Sequence, residues 1–351
     1  MLCSPSFESF FQCLSPVVQP KVRRVRGVTA RRGLAAALLA LGAGPLAMAE
    51  TAATASALDT RYQDRNGDLV ADRPQDAQQW RDPATLVFAF SPAEDPAVFA
   101  EVWKGFLDHL SEVTGKKVQY FAVQSNAAEV EAMRAGRLHV AALATGAVPL
   151  AVNCAGFVPF AMMAAKDGSY GYRMQIITRQ DSPLQSVAEL KGKRLAFTSE
   201  SSNSGYKAPV ALLAGQFGLQ QGKDYQAMFS GKHDNSILGV VHQDYDAAAV
   251  ASGIAQRMAG RGVVNVADLR LLYESEPFPT PAYGYAHDLK PELAEAIEKA
   301  FFTFDWEGSA LQREFAASTP PQQRFVPISY QSQWQIVRDV DAATDSVVRC
   351  R

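Results

Sequence analysis

The chain has 351 residues, of which 48% are hydrophobic and 20% are charged. This length exceeds one typical small domain and favours two lobes of roughly 100–150 residues each. The formal net charge is −2. Binding to a nucleic-acid backbone depends on clustered lysine and arginine, which this sequence does not show beyond residue 49, so a nucleic-acid-binding role is not expected.

The amino-terminal segment has the pattern of a secretory signal peptide. Basic residues within 21–32 precede the apolar run Leu34–Leu46, which ends in Ala47-Met48-Ala49. We expect residues 1–49 to be removed on export, because the apolar run is too short to anchor the chain in a bilayer. The mature chain then has 28 basic and 35 acidic residues, a net charge of −7. Arg31-Arg32 leaves open whether export follows the general or the twin-arginine route.

Residues 50–84 are expected to form an N-terminal extension ahead of the first strand. Within it, four oxygen-bearing side chains follow at short intervals: Asp64, Asn66, Asp68 and Asp72. This spacing is similar to the start of a calcium loop, but the bidentate acid at the twelfth position is missing. The alternative is an ordinary turn, since Asp, Asn and Gly cluster in turns.

From residue 85 onward, predicted strands alternate with predicted helices. The strands are Thr85–Phe90, Lys117–Ala122, Leu138–Leu143, Gly156–Ala164, Arg173–Thr178, Lys193–Phe197, Tyr225–Phe229 and Tyr245–Val250. The helices are Pro96–Val113, Ala127–Ala135, Ala208–Phe217, Ser236–Asp244, Pro291–Phe304 and Ser309–Ala316. This alternation predicts an α/β fold with mainly parallel sheets, and ligands in such sheets bind beyond the carboxyl ends of the strands.

The segment 197–209 places hydroxyl and amide side chains between a strand and a helix. Ser201, Ser202, Asn203 and Ser204 stand where the helix begins, and Gly205 permits close approach of the backbone. A helix N-terminus presents unpaired N–H groups and the positive end of a dipole, so the pattern predicts an anion site. An ordinary helix cap is the alternative, because Ser and Asn are favoured there in any case.

Three further turns follow strands or begin helices. Residues 231–236, which include His233 and Asp234, begin another helix, and Asp246 stands beside the apolar run Ala247–Val250. Thr145 and Gly146 follow the third predicted strand. These turns are expected to join the serine-rich segment at one ligand site.

Two cysteines, Cys154 and Cys350, remain after the predicted cleavage. An even number of cysteines in an exported chain favours a disulfide. A buried free thiol and a thiolate ligand near the site are the alternatives.

Taken together, these segments resemble the phosphate, phosphite and phosphonate-binding proteins of ABC importers. The resemblance rests on Ser202–Pro209, Gly231–Asn235 and Tyr245–Ala247, with residues 129–137 earlier in the chain. It implies a type II periplasmic-binding-protein fold, with two lobes that close on a ligand in the cleft between them. It covers residues 85–340.

The resemblance also implies roles for individual residues. Ser202, Asn203 and Ser204 would hold the oxyanion, a charged His233 would donate to it, and Asp246 would accept a hydrogen bond from a ligand amine or a P–OH group. Gly205, Tyr206, Asp234, Thr145 and Gly146 complete the expected site. The turn Ser91–Asp95 departs from the pattern because it lacks the expected aromatic residue, which implies a compact ligand.

These expectations define an exported solute-binding protein for a small oxyanion, with no cofactor and no enzymatic activity. Lobe one is expected to span residues 85–172 and 277–340, lobe two residues 173–276, and a C-terminal tail residues 341–351. The expected partner is an ABC permease, and the protein is expected to be a monomer in the periplasm. The alternative is a periplasmic sensor of an arsenic oxyanion that acts with a histidine kinase, for which Cys154 would be a soft ligand.

Overall fold

Short apolar segments form eleven strands in the part of the chain that the structure, a computed structural model, describes: residues 58–344 and Cys350. The predicted signal peptide lies outside the described residues. The strands are β1 (Thr85–Phe90), β2 (Lys117–Tyr120), β3 (Val140–Leu143), β4 (Phe157–Ala164), β5 (Tyr172–Arg179), β6 (Arg194–Phe197), β7 (Gln226–Phe229), β8 (Ala247–Ala251), β9 (Leu269–Phe278), β10 (Ala282–Ala286) and β11 (Arg324–Pro327).

The strands form two sheets, and each sheet is the centre of one lobe. The six-stranded sheet has the order β11-β4-β10-β3-β1-β2, and the five-stranded sheet has the order β7-β6-β8-β5-β9. The chain passes from the first sheet to the second between β4 and β5 and returns between β9 and β10. This is a two-lobe α/β architecture, as predicted.

Both sheets are mixed, so the expectation of mainly parallel sheets is wrong. In the described residues β1 pairs parallel with β2 and β3, and β6 pairs parallel with β7 and β8. The remaining five pairings, which involve β4, β5, β9, β10 and β11, are antiparallel. The difference comes mainly from β9 and β10, which the sequence analysis did not identify; each runs against its neighbours near the crossing between lobes.

Helices cover the faces of the two sheets. They are α1 (Pro96–Thr114), α2 (Asn126–Arg134), α3 (Val148–Ala155), α4 (Ala208–Phe217), α5 (His233–Val241), α6 (Ile254–Gly260), α7 (Pro291–Thr303), α8 (Ala310–Phe315), α9 (Tyr330–Gln333) and α10 (Gln335–Ala343). The longest, α1, begins where Asp95 accepts a hydrogen bond from the amide of Ala97 and ends at Gly115, whose φ of 65° stops the helix. None of the described helices is both long and apolar enough to cross a membrane.

An aromatic cluster joins the early and late parts of lobe one. Phe88 of β1 packs on Trp103 of α1 at 4.9 Å between ring centroids, and Phe106 of α1 packs on Phe301 of α7 at 4.6 Å. Phe301 in turn contacts Phe325 of β11 at 4.8 Å. Each such pair contributes about 0.5–1.5 kcal/mol beyond its buried area. The segment from α7 to β11 therefore belongs to the six-stranded sheet and its packing.

The C-terminal helix α10 extends beyond the expected end of lobe one. It ends at Ala343, so the predicted tail boundary at residue 341 falls within a helix. Asp341 is buried and pairs with Lys207 at 2.7 Å, with both side chains 5–6% exposed. Lys207 also donates from Nζ to the carbonyl of Gly146 at 2.9 Å. Lys207, at the start of α4 in lobe two, thus bonds both to Asp341 of α10 and to Gly146 in the turn after β3.

Cys154 and Cys350 form a disulfide with a Cα–Cα distance of 5.3 Å. It joins the end of α3 to the C-terminus across 196 residues of sequence. Both thiols are consumed, so a free thiol and a thiolate ligand at Cys154 are excluded in this structure.

Candidate functional site

A small cavity of about 90 Å³ lies between the two lobes. Its wall includes the residues that directly follow β1, β3 and β8: Ser91, Ala144 and Ser252. The serine-rich segment and the start of α5 complete the polar side. Because this volume is well below the roughly 300 Å³ at which pockets for drug-sized molecules begin, the cavity suits a compact ligand.

The serine-rich segment forms a helical turn that continues into α4. Residues Asn203–Lys207 have π-helical geometry, and Ser202 caps them because its Oγ accepts from the amide of Gly205 at 3.0 Å. Such π-turns inside helices are frequent at functional sites. Ser202, Asn203 and Ser204 are each no more than 7% exposed and line the cavity. The helix N-terminus thus faces the cavity with hydroxyl and amide groups around it.

Tyr172, which the sequence analysis did not identify, orders this turn. Its hydroxyl accepts from Nδ2 of Asn203 at 3.1 Å and also interacts with the side chains of Thr145 and Ser204. The amide Oδ1 of Asn203 is buried and has no hydrogen-bond partner among the described residues. A buried polar atom without a partner is costly, so a group supplied by a ligand would stabilise it.

His233 contributes a neutral donor to the same cavity. It is the first residue of α5, is 6% exposed, and accepts on Nδ1 from the amide of Ala251 at 3.2 Å. That bond leaves the proton on Nε2, which is then a donor. Burial lowers the pKa of His233 to about 4. The expectation of a charged His233 is therefore wrong for this geometry.

Lobe one supplies hydroxyls that sequence reasoning missed. Ser91 follows β1, is 2% exposed and lines the cavity, and its Oγ has no partner within residues 58–344. Ser318 and Tyr283 also line the cavity with hydroxyls that lack a partner in the described part of the chain. The position of Ser91 at the carboxyl end of a parallel strand was the available signal. Ser318 and Tyr283 lie in segments for which no site was predicted.

Thr145 and Gly146 are at the cavity edge, and their local roles are largely structural. The hydroxyl of Thr145 donates to the carbonyl of Pro279 at 2.8 Å, and the carbonyl of Thr145 accepts from Nε1 of Trp334 at 3.0 Å. A Cβ on Gly146 would collide with the backbone of Ser201 and Asn203. Glycine is thus required there because the two lobes approach each other closely, whereas Thr145 lines the cavity.

Gly146 and three further predicted residues do not line the cavity. Tyr206 packs its ring on Phe197 and Phe229 at 5.3 and 5.4 Å. Gly205 lies beneath the turn, where a Cβ would meet Thr198. Asp234 accepts from the amide of Asp95 at 3.0 Å and so links the lobes.

Asp246 is the clearest error among the predicted ligand contacts. It precedes β8 and pairs with Arg194 at 3.2 Å, with side chains 42% and 33% exposed for Arg194 and Asp246. The carboxyl end of the same strand, at Ala251 and Ser252, is the end that lines the cavity. The acid therefore stands at the wrong end of its strand to accept a proton from a ligand.

The candidate calcium segment forms a turn closed by its own side chains. The carboxylate of Asp64 accepts from the amides of Gly67, Asp68 and Leu69, and Asp72 accepts from the amide of Arg65. The amide of Asn66 donates to Asp68. No cluster of three or more His, Cys, Asp or Glu side chains suited to a metal ion occurs in residues 58–344. The ordinary turn accounts for this segment.

Apolar side chains also line the cavity. They are Phe90 and Phe99 of lobe one, Ile254 of lobe two, and Met163 and Phe315. The rings of Phe90 and Phe99 are tilted against each other at 4.7 Å between centroids and are at most 5% exposed. The cavity therefore combines hydrogen-bonding groups with apolar side chains.

Four charged side chains from both lobes meet beside the apolar wall. Glu94 of lobe one is 1% exposed and accepts from Arg257 of α6 at 2.6 Å and from Arg261. Arg261 also donates to Glu314 of α8 at 2.6 Å. Glu94 and Arg257 line the cavity, whereas Glu314 does not. The two arginines balance the two carboxylates, so the network adds no net charge to the site.

A second space of about 310 Å³ adjoins the cavity on its polar side. Ser91, Ser202 and His233 line both spaces. Around the larger space, Nδ2 of Asn126 donates to Oγ of Ser201 at 3.0 Å and Nζ of Lys232 donates to Oε1 of Gln124 at 3.2 Å. These contacts join residues of opposite lobes, so the structure shows the lobes closed.

Comparison with known proteins places the chain in a family. A family model described as "ABC transporter, phosphonate, periplasmic substrate-binding protein" matches residues 88–334. The phosphate-import protein PhnD of Mycolicibacterium smegmatis is 25% identical over 241 residues, covering 66% of this chain and 75% of that protein. The phosphonates-binding periplasmic protein of Escherichia coli is 22% identical over 223 residues, covering 62% of this chain and 66% of that protein.

Two solved structures share the fold. A binding protein component of an ABC phosphonate transporter from Pseudomonas aeruginosa has a TM-score of 0.68 and 20% identity, covering 76% of this chain and 88% of that one. PhnD1 from Prochlorococcus marinus, in complex with methylphosphonate, has a TM-score of 0.66 and 19% identity, covering 75% and 99%. Since the family model spans well over half of the sequence, this chain belongs to the periplasmic substrate-binding proteins of phosphonate ABC transporters, a family of binding proteins rather than enzymes.

Proposed function

We propose that the protein captures a small phosphonate with a short apolar substituent and delivers it to an ABC permease. The observation that carries this proposal is the mixed lining of the cavity, which has donors from Ser202, Ser204 and His233 and the apolar side chains of Phe99 and Ile254. A phosphonate has the same division, because its oxygens accept hydrogen bonds while its carbon substituent cannot. The volume of about 90 Å³ limits the substituent to a short alkyl group.

The polar side would bind the oxyanion without a formal positive charge of its own. The serine-rich turn supplies the N-terminus of a helix, whose dipole and free amides favour an anion. His233 is neutral and donates from Nε2. Fixed dipoles of this kind bind well in a site that excludes water, because they need no reorganisation when the ligand arrives.

A periplasmic location and a permease partner follow from this function, and we propose that the protein acts as a monomer. The arsenic-sensor alternative loses its main support, because the sulfur of Cys154 is engaged in the disulfide with Cys350. No other feature of residues 58–344 favours sensing over transport.

Calorimetric titration of the mature protein with methylphosphonate, phosphate, phosphite and arsenate tests the proposal. Methylphosphonate should bind most tightly, because the fourth oxygen of phosphate would be buried against Phe99 and Ile254 without a partner. Such a group costs about 1–3 kcal/mol, which corresponds to about 5- to 150-fold in affinity. Ile254→Thr, which adds a hydroxyl to the apolar wall, should reduce this preference more than Ile254→Val, which matches threonine in size but has no hydroxyl.

Two results would contradict the proposal at different points. Phosphate binding as tightly as methylphosphonate would refute the apolar-substituent claim and leave oxyanion capture intact. A chain that bound none of the four ligands would refute oxyanion capture itself. Thermal unfolding provides an independent check, because a ligand present at one hundred times its dissociation constant stabilises the folded state by about 2.7 kcal/mol.

A further inference from the structure

Glu94 is a buried carboxylate in the wall of a cavity that otherwise favours an anion. Its Oε1 accepts from Nε of Arg257 at 3.0 Å and from Nη2 of Arg257 at 2.6 Å. Its Oε2 accepts from Nη2 of Arg261. A carboxylate has about four acceptor positions on its two oxygens. Three are occupied, so one acceptor position remains on Oε2.

The arginines that hold Glu94 come from the opposite lobe. Arg257 lies in α6 and Arg261 follows its last residue, whereas Glu94 lies in the turn after β1. Opening the cleft would separate these groups, so the three hydrogen bonds belong to the closed arrangement. The two arginines therefore hold the carboxylate of Glu94 in the cavity wall only when the lobes are closed.

We propose that Glu94 is a specificity-determining residue that accepts a hydrogen bond from the P–OH group of a singly protonated phosphonate and thereby makes closure depend on the protonation of the ligand. The inference rests on the proposed function. A monoanionic phosphonate carries the proton that the free position on Oε2 can accept. A phosphonate dianion and a sulfonate have no such proton, so each would place an oxygen lone pair against the carboxylate.

The charges around Glu94 keep it ionised. Burial alone would raise the pKa of Glu94, and the guanidinium groups of Arg257 and Arg261 outweigh burial and hold the pKa below its usual value. The other titratable groups near it are Glu314, neutral His233 and Asp234. A carboxylate that stays ionised while the ligand loses its second proton can distinguish the two ligand forms.

Methylphosphonate and methanesulfonate form a matched pair for the test, because they are similar in size and differ in whether a proton is available. The wild type should prefer methylphosphonate by at least about 100-fold, since a site built to bond a hydroxyl strongly rejects an analogue without it. Its affinity for methylphosphonate should fall about tenfold per pH unit above the second pKa of the ligand, because only the monoanion binds. Both quantities come from calorimetry on the wild type at several pH values.

Glu94→Gln and Glu314→Gln separate the acceptor from the ion network. Both variants remove one carboxylate from the same pair of arginines, but only Glu94 lines the cavity. Glu94→Gln should reduce the preference for phosphonate over sulfonate at least about tenfold and flatten the pH slope. Glu314→Gln should keep both the preference and the slope.

Each outcome of these measurements either supports the role of Glu94 or overturns it. Wild-type affinities for the two ligands within tenfold of each other would overturn the role of Glu94, and so would a flat wild-type pH profile. Equal effects of the two substitutions on the preference would also overturn it, because the network would then act only structurally. These wild-type measurements keep the proposal falsifiable if Glu94→Gln folds poorly. A wild type that bound methylphosphonate to no measurable extent would instead refute the proposed function, and the role of Glu94 with it.

Discussion

The two lobes present different chemical groups to the cavity. Lobe two presents neutral donors at helix starts, chiefly Ser202, Ser204 and His233. Lobe one presents hydroxyls from turns and the ionised carboxylate of Glu94, which arginines of lobe two hold in place. The difference suggests a division of roles: dipoles of lobe two hold the oxyanion, and charges between the lobes stabilise the closed form.

The largest expected effect comes from breaking the charge network between the lobes. Arg257→Ala leaves Glu94, which is 1% exposed, with one arginine instead of two. Removing one partner of a buried ion pair typically costs about 3–5 kcal/mol. We expect a loss of that size in urea unfolding measured with saturating methylphosphonate. Arg194→Ala, at the more exposed pair with Asp246, is the control and should cost no more than about 1 kcal/mol. Equal losses in the two variants would contradict the account.

The buried neutral state of His233 predicts how stability depends on pH. The pKa of His233 is about 4 in the folded protein, whereas the ordinary value is 6.5. As the pH falls, this histidine is therefore protonated in the unfolded chain before it is protonated in the folded chain. Stability from this group is therefore complete above about pH 6.5 and decreases toward pH 4, by about 3 kcal/mol in total. Chemical unfolding of the wild type and His233→Gln between pH 4 and pH 7 measures the difference. Identical pH profiles would show that His233 is not buried in its neutral form.

Serine substitutions separate ligand binding from helix capping within lobe two. Ser204→Ala should weaken oxyanion binding by about 1.5–3 kcal/mol, the scale of a hydrogen bond to a charged group, and leave stability nearly unchanged. Ser202→Ala should lower affinity and also cost about 1 kcal/mol of stability, because Ser202 accepts from the amide of Gly205. Calorimetry and unfolding on both variants distinguish these results. If both lost stability but neither lost affinity, the turn would be only a helix cap.

The smallest expected effect is at Asp246. Asp246→Asn should leave ligand affinity unchanged, because its carboxylate pairs with Arg194 away from the cavity. The pair is about a third exposed or more, so its loss should cost no more than about 1 kcal/mol of stability. A tenfold change in methylphosphonate affinity would return Asp246 to the ligand site and contradict the geometry.

The features of lobe two that were predicted from the sequence depend on residues that are close together in the chain. A strand that leads into Ser202-Asn203-Ser204 and then a helix can be identified without knowledge of the rest of the chain, because helix N-termini and strand ends have short-range signals. Thr145 was identified for the same reason. The turn that contains His233 was identified in the same way, and the family resemblance added its role as a donor; the structure places His233 in the cavity.

The remaining features depend on long-range packing. The error at Asp246 is an exception, because the family resemblance was followed although Asp246 precedes β8 and ligands bind beyond the carboxyl ends of such strands. Glu94 could not be assigned, since its role requires arginines 163 and 167 residues away. Tyr172 lies at the first crossing between the lobes, and Ser318 lies in the region before β11. The periodicity of side chains in these segments gives no information on the cavity that they share.

A crystal structure of the mature protein with methylphosphonate tests the central claim most directly. The account predicts phosphonate oxygens at about 2.7–3.1 Å from Oγ of Ser204 and Nε2 of His233, as in ordinary hydrogen bonds. It also predicts that the methyl group contacts Phe99 and Ile254. A methylphosphonate bound with its methyl group toward the serine-rich turn, or bound entirely in the larger adjoining space beside Lys232, would contradict it.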